Sequence, residues 1–398
     1  MELPNPPQCQ CCGAAMKDSG MTEDSECLTA IPKKFIIERL KRHKYSCSKC
    51  HGDIQTAPVL PRITPGGSYS DEMTIDASLA KYCDLIPMDR YAAMAAREGM
   101  ENLPPQSLIE GSHHLANFVE PAYEKIGQEI MSEEVVHADE TPHRMLEGDE
   151  KSNWFLWGFS TLETAYFEIH NTRSGDVALE LLKHSKCRYL ISDVYSGYGK
   201  AVRLVNKYRT EQLLEIIKNA FCNSHCRRNF KKAEVHFPEE AEFFIKLYKE
   251  IYKLEAEARG QAPPKILEIR FQMKTYFKEM QEWAVRNLNS YSSKSSLGKA
   301  MKYLLRNYVG LTLFLSTPQI PIDNNQEERL LRSPVVGRKT WLGTHSKRGA
   351  KTAAILFSLV ESCKLIKVNP REYFKKLVEA VHHGKPHFTP REFKKMMV

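Results

Sequence analysis

Acidic, amide and basic side chains are packed densely in one stretch of the chain, residues 321–332. Its members with chemical potential are Asp323, Asn324, Asn325, Glu327, Glu328, Arg329 and Arg332. Asn324 with Glu327 three residues later is typical of a helix-capping pair, so we expect a short helix that begins here and that Pro334 ends. Glu328 would lie about one turn into this helix, with its carboxylate at the rim of the surface that the helix packs against. A solvated charged helix is the alternative interpretation, and it accounts for the arginines better than for the acids.

Two further carboxylates each follow a short apolar run, which is typical of a buried strand. Asp139 comes after residues 135–138, and Asp193 comes after residues 189–192. Carboxylates at the ends of neighbouring strands meet at one edge of a sheet, where a cation relieves their mutual repulsion. Together with Glu328, these two residues predict a magnesium site.

The segments between the two aspartates predict the elements that would position them. Residues 153–160 and 164–170 are rich in Trp, Phe and Tyr and are typical of a β-hairpin. Residues 174–184 have the apolar spacing of a helix, and residues 187–192 form the strand that leads to the second acid. Residues 216–222 are a candidate fifth strand. This order of elements is that of the ribonuclease-H-like fold, so we expect an α/β catalytic core of that kind.

The chain is long between Asp193 and Glu328, which are 135 positions apart. A minimal core of the expected fold needs far fewer residues, so we expect an insertion at about residues 226–315. Its apolar residues recur at helical spacing. It also carries basic residues, at Lys231, Lys232, Arg270, Lys274, Lys278 and Arg286. A basic helical insertion beside the catalytic residues could clamp DNA, although ordinary helix surfaces are also rich in lysine.

Four cysteines near the start of the chain have the spacing of zinc ligands. They make two C-x2-C pairs that 34 residues separate, Cys9 with Cys12 and Cys47 with Cys50. Two such pairs are typical of a tetrahedral zinc site of the ribbon type, and we expect residues 35–40 and 45–46 to be strands of that ribbon. Buried thiols that bind no metal are the alternative interpretation, and Cys11 or Cys27 could compete as a ligand. The basic residues between 33 and 44 suit phosphate contacts as well as a solvated surface.

The remaining segments predict connecting and packing elements. Residues 58–68 contain several prolines and glycines and are typical of a linker. Helical spacing follows from residue 71 to about residue 131, and a packing role for these helices is favoured over DNA binding. Residues 352–367 predict another packing helix, and the residues from there to Val398 predict only a short basic tail.

Basic and aromatic residues with a predicted role in DNA binding lie near the predicted catalytic groups in the sequence. They are Arg329, Arg332, Arg338, Lys339 and Trp341 after Glu328, and His225, Arg227 and Arg228 after Cys222. Trp341 could stack on a splayed base or fill the core. Cys222 and His225 could be half of a metal site, a buried thiol beside a histidine, or a pair that positions DNA. The lack of a second such pair nearby in the sequence makes zinc the least favoured of the three.

The composition of the 398-residue chain is that of a soluble globular protein with two or three domains. A hydrophobic content of 42% and a charged content of 27% indicate neither disorder nor a membrane protein. A net charge of +8 favours a polyanionic partner. The sequence shows neither a long apolar run nor a secretion signal, so we expect a cytoplasmic, nucleoid-associated protein without a membrane partner. The eleven cysteines suit metal binding and reduced thiols better than a disulfide framework.

In five ordered motifs the chain resembles the insertion-sequence-66 family of bacterial transposases. The motifs are HADETP at 137–142, SDVYSGY at 192–198, CNSHCRRNF at 222–230, DNNQEER at 323–329 and GRKTW at 337–341. The likeness extends from Cys9 to about Leu377. It implies a DNA transposase of the DDE type, whose catalytic triad is Asp139, Asp193 and Glu328.

The resemblance also implies cofactors, substrate and partners. The triad would hold two Mg²⁺ (or Mn²⁺) ions, which activate the attacking water or 3′-hydroxyl and stabilise the leaving oxygen. Zn²⁺ would be bound separately, in the ribbon. The substrate would be double-stranded DNA, both as transposon ends and as target, bound by a homo-oligomer with accessory proteins that the same element encodes.

Two other functions stay open at this point. One is a decayed or repurposed copy, a zinc-ribbon DNA-binding protein that no longer transposes. This possibility arises because family members, unlike this sequence, typically begin with a longer helical region and end in a Leu-Pro-Trp-type tail. The other is a ribonuclease-H-like nuclease that cuts generic nucleic acids without joining them. The complete triad argues against the decayed copy, whereas the nuclease would be recognised by cleavage of generic substrates without joining.

We therefore expect a multidomain α+β protein. The predicted domains are a zinc ribbon at 1–57, a linker and helical connector at 58–130, a ribonuclease-H-like catalytic domain at 131–345, and a C-terminal helical tail at 346–398.

Overall fold

The computed structural model describes residues 7–50, 52–146 and 153–397. The first six residues of the expected ribbon and the last residue of the expected tail, Val398, therefore lie outside the described residues. The N-terminal part contains a small antiparallel sheet of two strands, β1 (Lys44–Ser46) and β2 (Ile54–Thr56). Its strands flank the second cysteine pair.

The structure corrects one strand of the expected ribbon. The strand expected at residues 45–46 lies within β1, whereas residues 35–40 have no regular structure. Ile36 and Ile37 in that segment are 77% and 90% exposed, so they pack against no sheet. The apolar run that predicted a strand has no partner strand to cover it, and β2 follows the second cysteine pair instead.

Three helices follow the linker, namely α1 (Asp71–Tyr82), α2 (Met88–Arg97) and α3 (Pro105–Ser132). They confirm the helical spacing of this region. The hydroxyl of Ser70 starts α1 by accepting a hydrogen bond of 3.2 Å from the backbone N–H of Met73. Fully buried residues recur along α3 at helical spacing, at Leu115, Val119, Ala122 and Ile126.

A mixed five-stranded sheet forms the centre of the protein. Its strands are β3 (Val135–Arg144), β4 (Asn153–Ser160), β5 (Ala165–His170), β6 (Tyr189–Ser192) and β7 (Lys218–Phe221). Their order across the sheet is β5-β4-β3-β6-β7. β3, β6 and β7 are parallel, and β4 runs antiparallel to both of its neighbours. The predicted hairpin and the candidate fifth strand are confirmed.

Helices cover both faces of this sheet. On one face, α4 (Asp176–Lys183) and α5 (Ser196–Glu211) pack against Ala138, Trp157 and Phe159. On the other face, α1 and α3 share a core with Leu156 and Phe167. Alternate residues of β4 thus belong to different cores, as the two-residue period of a strand requires.

The segment between β7 and residue 316 is helical, as predicted. It contains α6 (Asn223–Ala233), α7 (Pro238–Ala258), α8 (Pro263–Asn287) and α9 (Ser296–Thr312). These helices bury their own apolar cluster, in which Phe230 and Phe244 stack at 3.9 Å between ring centres. The cluster reaches the sheet through Ile191 and Ala220, so the helices are attached at the β6 and β7 side.

The C-terminal segment is helical and includes the packing helix expected at 352–367, as the sequence predicts, but the part after residue 367 is more than a short basic tail. It forms α12 (Lys347–Leu365), α13 (Pro370–His382) and α14 (Pro390–Met396), following α10 (Asn325–Leu330) and α11 (Arg332–Thr340). Tyr373, Phe374, Phe388 and Phe393 are buried in the core that α1 and α3 share with the sheet. None of the helices described in residues 7–50, 52–146 and 153–397 has the length and apolar character needed to span a membrane.

Helix α12 also protects an edge of the sheet. β5 is an edge strand, and its outward backbone N–H groups would otherwise be open to another strand. The hydroxyl of Ser358 accepts the N–H of Phe167 at 2.8 Å, and the hydroxyl of Ser362 accepts the N–H of Ala165 at 2.9 Å. Side chains of the predicted packing helix therefore complete the hydrogen bonding of the central sheet.

Candidate active site

The strand register brings Asp139 and Asp193 side by side. β3 and β6 pair in parallel with His137 opposite Ile191, and the two aspartates each lie two residues further along. The expectation that Asp139 ends its strand is wrong, because β3 continues to Arg144 through its pairing with β4. It is β6 that stops, which leaves one flank of Asp139 without a neighbouring strand.

The electrostatics of Asp139 indicate a crowded acidic site. The pKa of Asp139 is raised to about 7, chiefly by burial and then by the negative charges of Glu140, Asp193 and Glu328. Backbone N–H groups orient both aspartates, from Glu140 to Asp139 Oδ1 and from Tyr195 to Asp193 Oδ1, each at 2.9 Å. The charges of the other two predicted triad residues thus both act on Asp139.

Glu328 reaches this site from α10. Its side chain is 27% exposed, and its Oε1 lies 3.5 Å from Nδ1 of His225. Its Oε2 lies 3.5 Å from Nη2 of Arg228. His225 and Arg228 are both on α6, so this helix contacts both carboxylate oxygens of Glu328.

Asn324 has a different role from the predicted capping residue. Its side chain makes no capping hydrogen bond. Instead its Oδ1 lies 2.7 Å from Nδ1 of His137, and its Nδ2 donates to the carbonyl oxygen of Ala138 at 3.0 Å. Asn324 therefore ties the start of α10 to β3 just before Asp139. The helix also ends earlier than predicted, at Leu330, and Pro334 lies in the first turn of the next helix, α11.

Glu327 is a fourth carboxylate of the site, which the sequence interpretation placed in the capping pair. It is completely buried, and neither carboxylate oxygen has a hydrogen-bond partner among the described residues. It lies directly over Gly158 of β4, which pairs with Asp139. The pKa of Glu327 is raised to about 8, chiefly by burial and to a smaller extent by the charge of Asp139. A glycine within an aromatic strand is the signal that could have indicated this close approach.

Replacing Gly158 with alanine should therefore disturb the site. A Cβ at this position would lie far inside van der Waals contact with Glu327 Oε1, and Phe167 limits movement on the other side. We expect a loss of about 1–3 kcal/mol in the free energy of unfolding, measured by chemical denaturation.

Gly199→Ala is the matched control for this substitution. Gly199 is exposed within α5, and a Cβ there meets no atom within 4 Å among the described residues. Alanine should stabilise that helix by up to about 1 kcal/mol. Equal stability of the two variants would show that Glu327 does not occupy the space over Gly158.

An ion pair between a half-exposed arginine and a buried glutamate, on the opposite face of β3, joins the two aspartates indirectly. Arg173 donates to Glu140 Oε1 from Nε at 2.9 Å and from Nη2 at 2.6 Å, and the hydroxyl of Tyr198 donates to Oε2 at 2.7 Å. The guanidinium of Arg173 stacks 4.2 Å from the ring centre of Tyr195, whose backbone N–H holds Asp193. Sequence reasoning missed Glu140, Arg173 and Tyr198, although two of them belong to the quoted motifs.

The residues predicted to bind DNA lie in several settings. Arg227, Arg228, Arg329, Arg332 and Lys339 are exposed. Arg338 is half-buried and donates to the hydroxyl of Thr141 on β3 at 3.1 Å. Trp341 packs edge-on to Tyr82, with ring centres 6.3 Å apart, and Lys81 lies 5.0 Å from the centre of its ring.

Cys222 is completely buried between β7 and α6, and its Sγ accepts a hydrogen bond of 3.2 Å from the N–H of Asn324. Cys222, His225 and Glu328 each offer one potential metal-ligand atom, and these three atoms lie within 4.8 Å of one another. The sequence alone could not place Glu328 beside the other two, because about a hundred residues separate them.

The four N-terminal cysteines are arranged as two local pairs. In each pair, backbone N–H groups lower the pKa of the first thiol, those of Cys11 and Cys12 acting on Cys9 and those of Cys50 and Lys49 acting on Cys47. Gly13 adopts a φ of +73°, as a tight turn after the first pair requires. Within residues 7–50, the two pairs do not form one group of ligand atoms within 4.8 Å. Cys11 and Cys27 are exposed.

Comparisons with known proteins agree on one family. Residues 66–352 match the family model described as "Transposase IS66 family", and residues 6–51 match the one described as "zinc-finger binding domain of transposase IS66". The chain is 25% identical over 391 residues to the uncharacterized protein y4hP of Sinorhizobium fredii (strain NBRC 101917 / NGR234), covering 92% of the chain and 69% of that protein. It is 26% identical over 389 residues to the uncharacterized protein y4jD of the same strain, covering 94% and 75%.

Proposed function

The chain belongs to the transposase IS66 family and carries its zinc-finger domain, and from this premise we propose that it cleaves DNA at transposon ends and joins them to a target. The observation that carries the proposal is the convergence of Asp139, Asp193 and Glu328 at the point where β6 ends. These side chains come from three distant parts of the chain. Repulsion among these carboxylates lowers the stability of the fold, and a core with a purely structural role would not retain such a cluster.

The strand order supports a ribonuclease-H-like core. Counted along the chain from β3 to β7, the strands lie across the sheet in the order third, second, first, fourth, fifth. The second strand, β4, runs antiparallel to both of its neighbours. We propose a catalytic domain at 131–345 with an insertion at about 226–315. The zinc ribbon at 1–57 and the connector at 58–130 precede it, and the segment at 346–398 packs onto that connector.

The residues of the site fit a hard divalent cation, Mg²⁺ or Mn²⁺. The ligand atoms are carboxylate oxygens, which such ions prefer. Glu328 Oε1 and both oxygens of Glu327 are buried without a hydrogen-bond partner among the described residues. Asp139, Asp193 and Glu328 would hold the ions, which would supply an activated hydroxyl nucleophile and charge stabilisation of the leaving oxygen.

The surrounding residues act by fixing the carboxylates. Asn324 holds α10, and so Glu328, against β3. Arg173 and Tyr198 fix Glu140 and with it the strand that carries Asp139. Arg228 and Arg338 place positive charge around the acidic centre, where they would orient the scissile phosphate without taking part in proton transfer.

The zinc-finger domain supports Zn²⁺ binding and contact with DNA. We propose that Cys9, Cys12, Cys47 and Cys50 are the zinc ligands and that the ribbon binds transposon ends. Joining requires two ends to be held together, so we propose that several copies assemble on the DNA, with accessory proteins of the same element and in association with the nucleoid.

A strand-transfer assay tests the proposal. Purified protein, Mg²⁺ and DNA that carries the ends of the element should yield joined products with a target DNA. Cleavage of generic DNA without joining would indicate a nuclease instead. DNA binding with neither reaction, in protein shown to be folded, would contradict the proposal and indicate a repurposed DNA-binding protein.

The role of the cations around the site predicts a specific salt dependence. If Arg338 and Lys339 contact phosphates, Arg338→Ala with Lys339→Ala should lower the slope of log affinity against log salt by about 2. Cleavage at saturating DNA should fall more than affinity, because Arg338 is anchored on β3 two residues from Asp139.

Lys394→Ala with Lys395→Ala removes the same charge from the exposed end of α14 and serves as the control. Affinity across a salt series and single-turnover rates are measured for both double variants. The same slope and rate in the two would leave Arg338 and Lys339 without a role in DNA binding.

A further inference from the structure

We propose that Cys222, His225 and Glu328 form a binding site for a soft divalent metal ion, with Zn²⁺ as its best-matched occupant, beside the proposed magnesium site. Its consequence for activity rests on the proposed function, since Glu328 would be shared by the two sites. The site itself does not rest on it.

The geometry supports a compact three-ligand site. The three ligand atoms lie within 4.8 Å of one another, and His225 Nδ1 is 3.5 Å from Glu328 Oε1. Two tetrahedral zinc ligands with bonds of about 2.0–2.1 Å lie roughly 3.3–3.4 Å apart. The histidine and the glutamate are therefore almost at ligand spacing, with the sulfur within 4.8 Å of both residues' ligand atoms.

The local structure leaves these atoms available. Neither His225 Nδ1 nor Glu328 Oε1 has a hydrogen-bond partner among the described residues, although both atoms are buried. The sulfur of Cys222 accepts a hydrogen bond from the backbone N–H of Asn324, which is a common interaction of metal-bound thiolates. Cys222 precedes the first residue of α6, and His225 lies in its first turn, so the helix fixes their separation.

The ligand types favour zinc over magnesium. Thiolate and imidazole are borderline-soft ligands that bind Zn²⁺ strongly, whereas Mg²⁺ prefers oxygen. Three protein ligands leave a fourth position for water or a DNA oxygen. The positive charge of Arg228 opposes the binding of a cation here, since its Nη1 lies 3.4 Å from His225 Nε2. Its side chain is 48% exposed, so it can move into solvent when a cation binds.

Occupation of this site would inhibit the reaction. Glu328 coordinated beside Cys222 and His225 would have its Oε1 occupied by zinc, so this oxygen could not also bind a magnesium ion held by Asp139 and Asp193. Zinc would thus act as a competitive brake on the magnesium-dependent chemistry, through a ligand that both sites need.

Zinc counting on the full-length protein tests the site directly. In equilibrium dialysis against buffered Zn²⁺, we expect Cys222→Ala and His225→Gln each to bind one zinc fewer than the wild type. Cys226→Ala is the matched control, because Cys226 is a buried thiol on the same helix that lies outside the ligand group. It should keep the wild-type number.

The outcomes separate this proposal from the proposed function. If the wild type and a folded His225→Gln variant bind equal amounts of zinc, the proposed site is wrong, whatever the activity is. The His225 side chain is 29% exposed in the wild type, so we expect this variant to fold. If the variants bind one zinc ion fewer but the wild-type protein cleaves no DNA, the zinc site is supported and the transposase mechanism is contradicted. In an active protein, zinc added to the Mg²⁺ reaction should inhibit the wild type more than Cys222→Ala, each relative to its own zinc-free rate.

Discussion

Asp139→Asn should reduce DNA cleavage and strand transfer by more than about 100-fold, since loss of a metal ligand should cost at least as much as loss of the groups that orient one. Asp193→Asn and Glu328→Gln should do the same, because the three carboxylates converge on one site. The effect should lie in the rate at saturating DNA, while affinity for DNA stays nearly unchanged. Single-turnover cleavage with matched binding curves measures both quantities.

A second readout does not depend on activity. Burial and neighbouring charges disfavour the ionised form of Asp139, so the metal-free Asp139→Asn variant should be at least as stable as the wild type. Added Mn²⁺ should raise the melting temperature of the wild type and not that of the variant. Asp176→Asn, at an exposed position of α4, controls for the substitution itself. Substantial cleavage by any triad variant would remove that residue from the triad, and Glu327→Gln would then be the next variant to test.

Removing zinc from the N-terminal domain should unfold that domain before the rest of the protein. None of the residues in 7–50 and 52–60 is buried, and the two strands have three residues each. Without an apolar core, such a domain depends on its metal for stability. Cys47→Ser should therefore lose one tightly bound zinc and most of the affinity for transposon ends, while the melting transition of the remaining protein persists.

Cys27→Ser is the matched control, because Cys27 is an exposed cysteine outside the two pairs. Elemental analysis, circular dichroism and limited proteolysis of both variants measure zinc content and order. Protein purified without chelators that contains no zinc would contradict the prediction, and loss of zinc in Cys27→Ser would make Cys27 the ligand.

Periodic patterns in the sequence predicted the elements of the sheet well. The aromatic hairpin, the strand before Asp193 and the helical insertion were each predicted from the spacing of their apolar residues. Each spacing places those residues on a buried surface in only one type of element, strand or helix. The apolar run at 35–40 predicted a strand in the same way and failed. A strand needs a partner for its backbone, and a local pattern carries no information about partners.

The details of the site depended on contacts that local patterns do not contain. Asn324 and Glu327 have the spacing of a capping pair, yet each bonds or packs across the chain, Asn324 to His137 and Glu327 over Gly158. Tertiary contacts decided the conformation of both side chains. The segment after residue 367 was predicted only as a short basic tail, but its large aromatic residues fill a core together with residues from distant parts of the chain.

The position of α12 in the central core has a consequence for how the protein is made. Its Ser358 and Ser362 complete β5, and α12 also covers α3, which is synthesised more than two hundred residues earlier. At roughly 5–20 residues per second, α3 and the β5 edge wait on the order of 10–40 s on the ribosome for the helix that covers them. During that time an apolar helix face and an open strand edge are both exposed, so the nascent chain is a natural client for a chaperone until its last helices emerge.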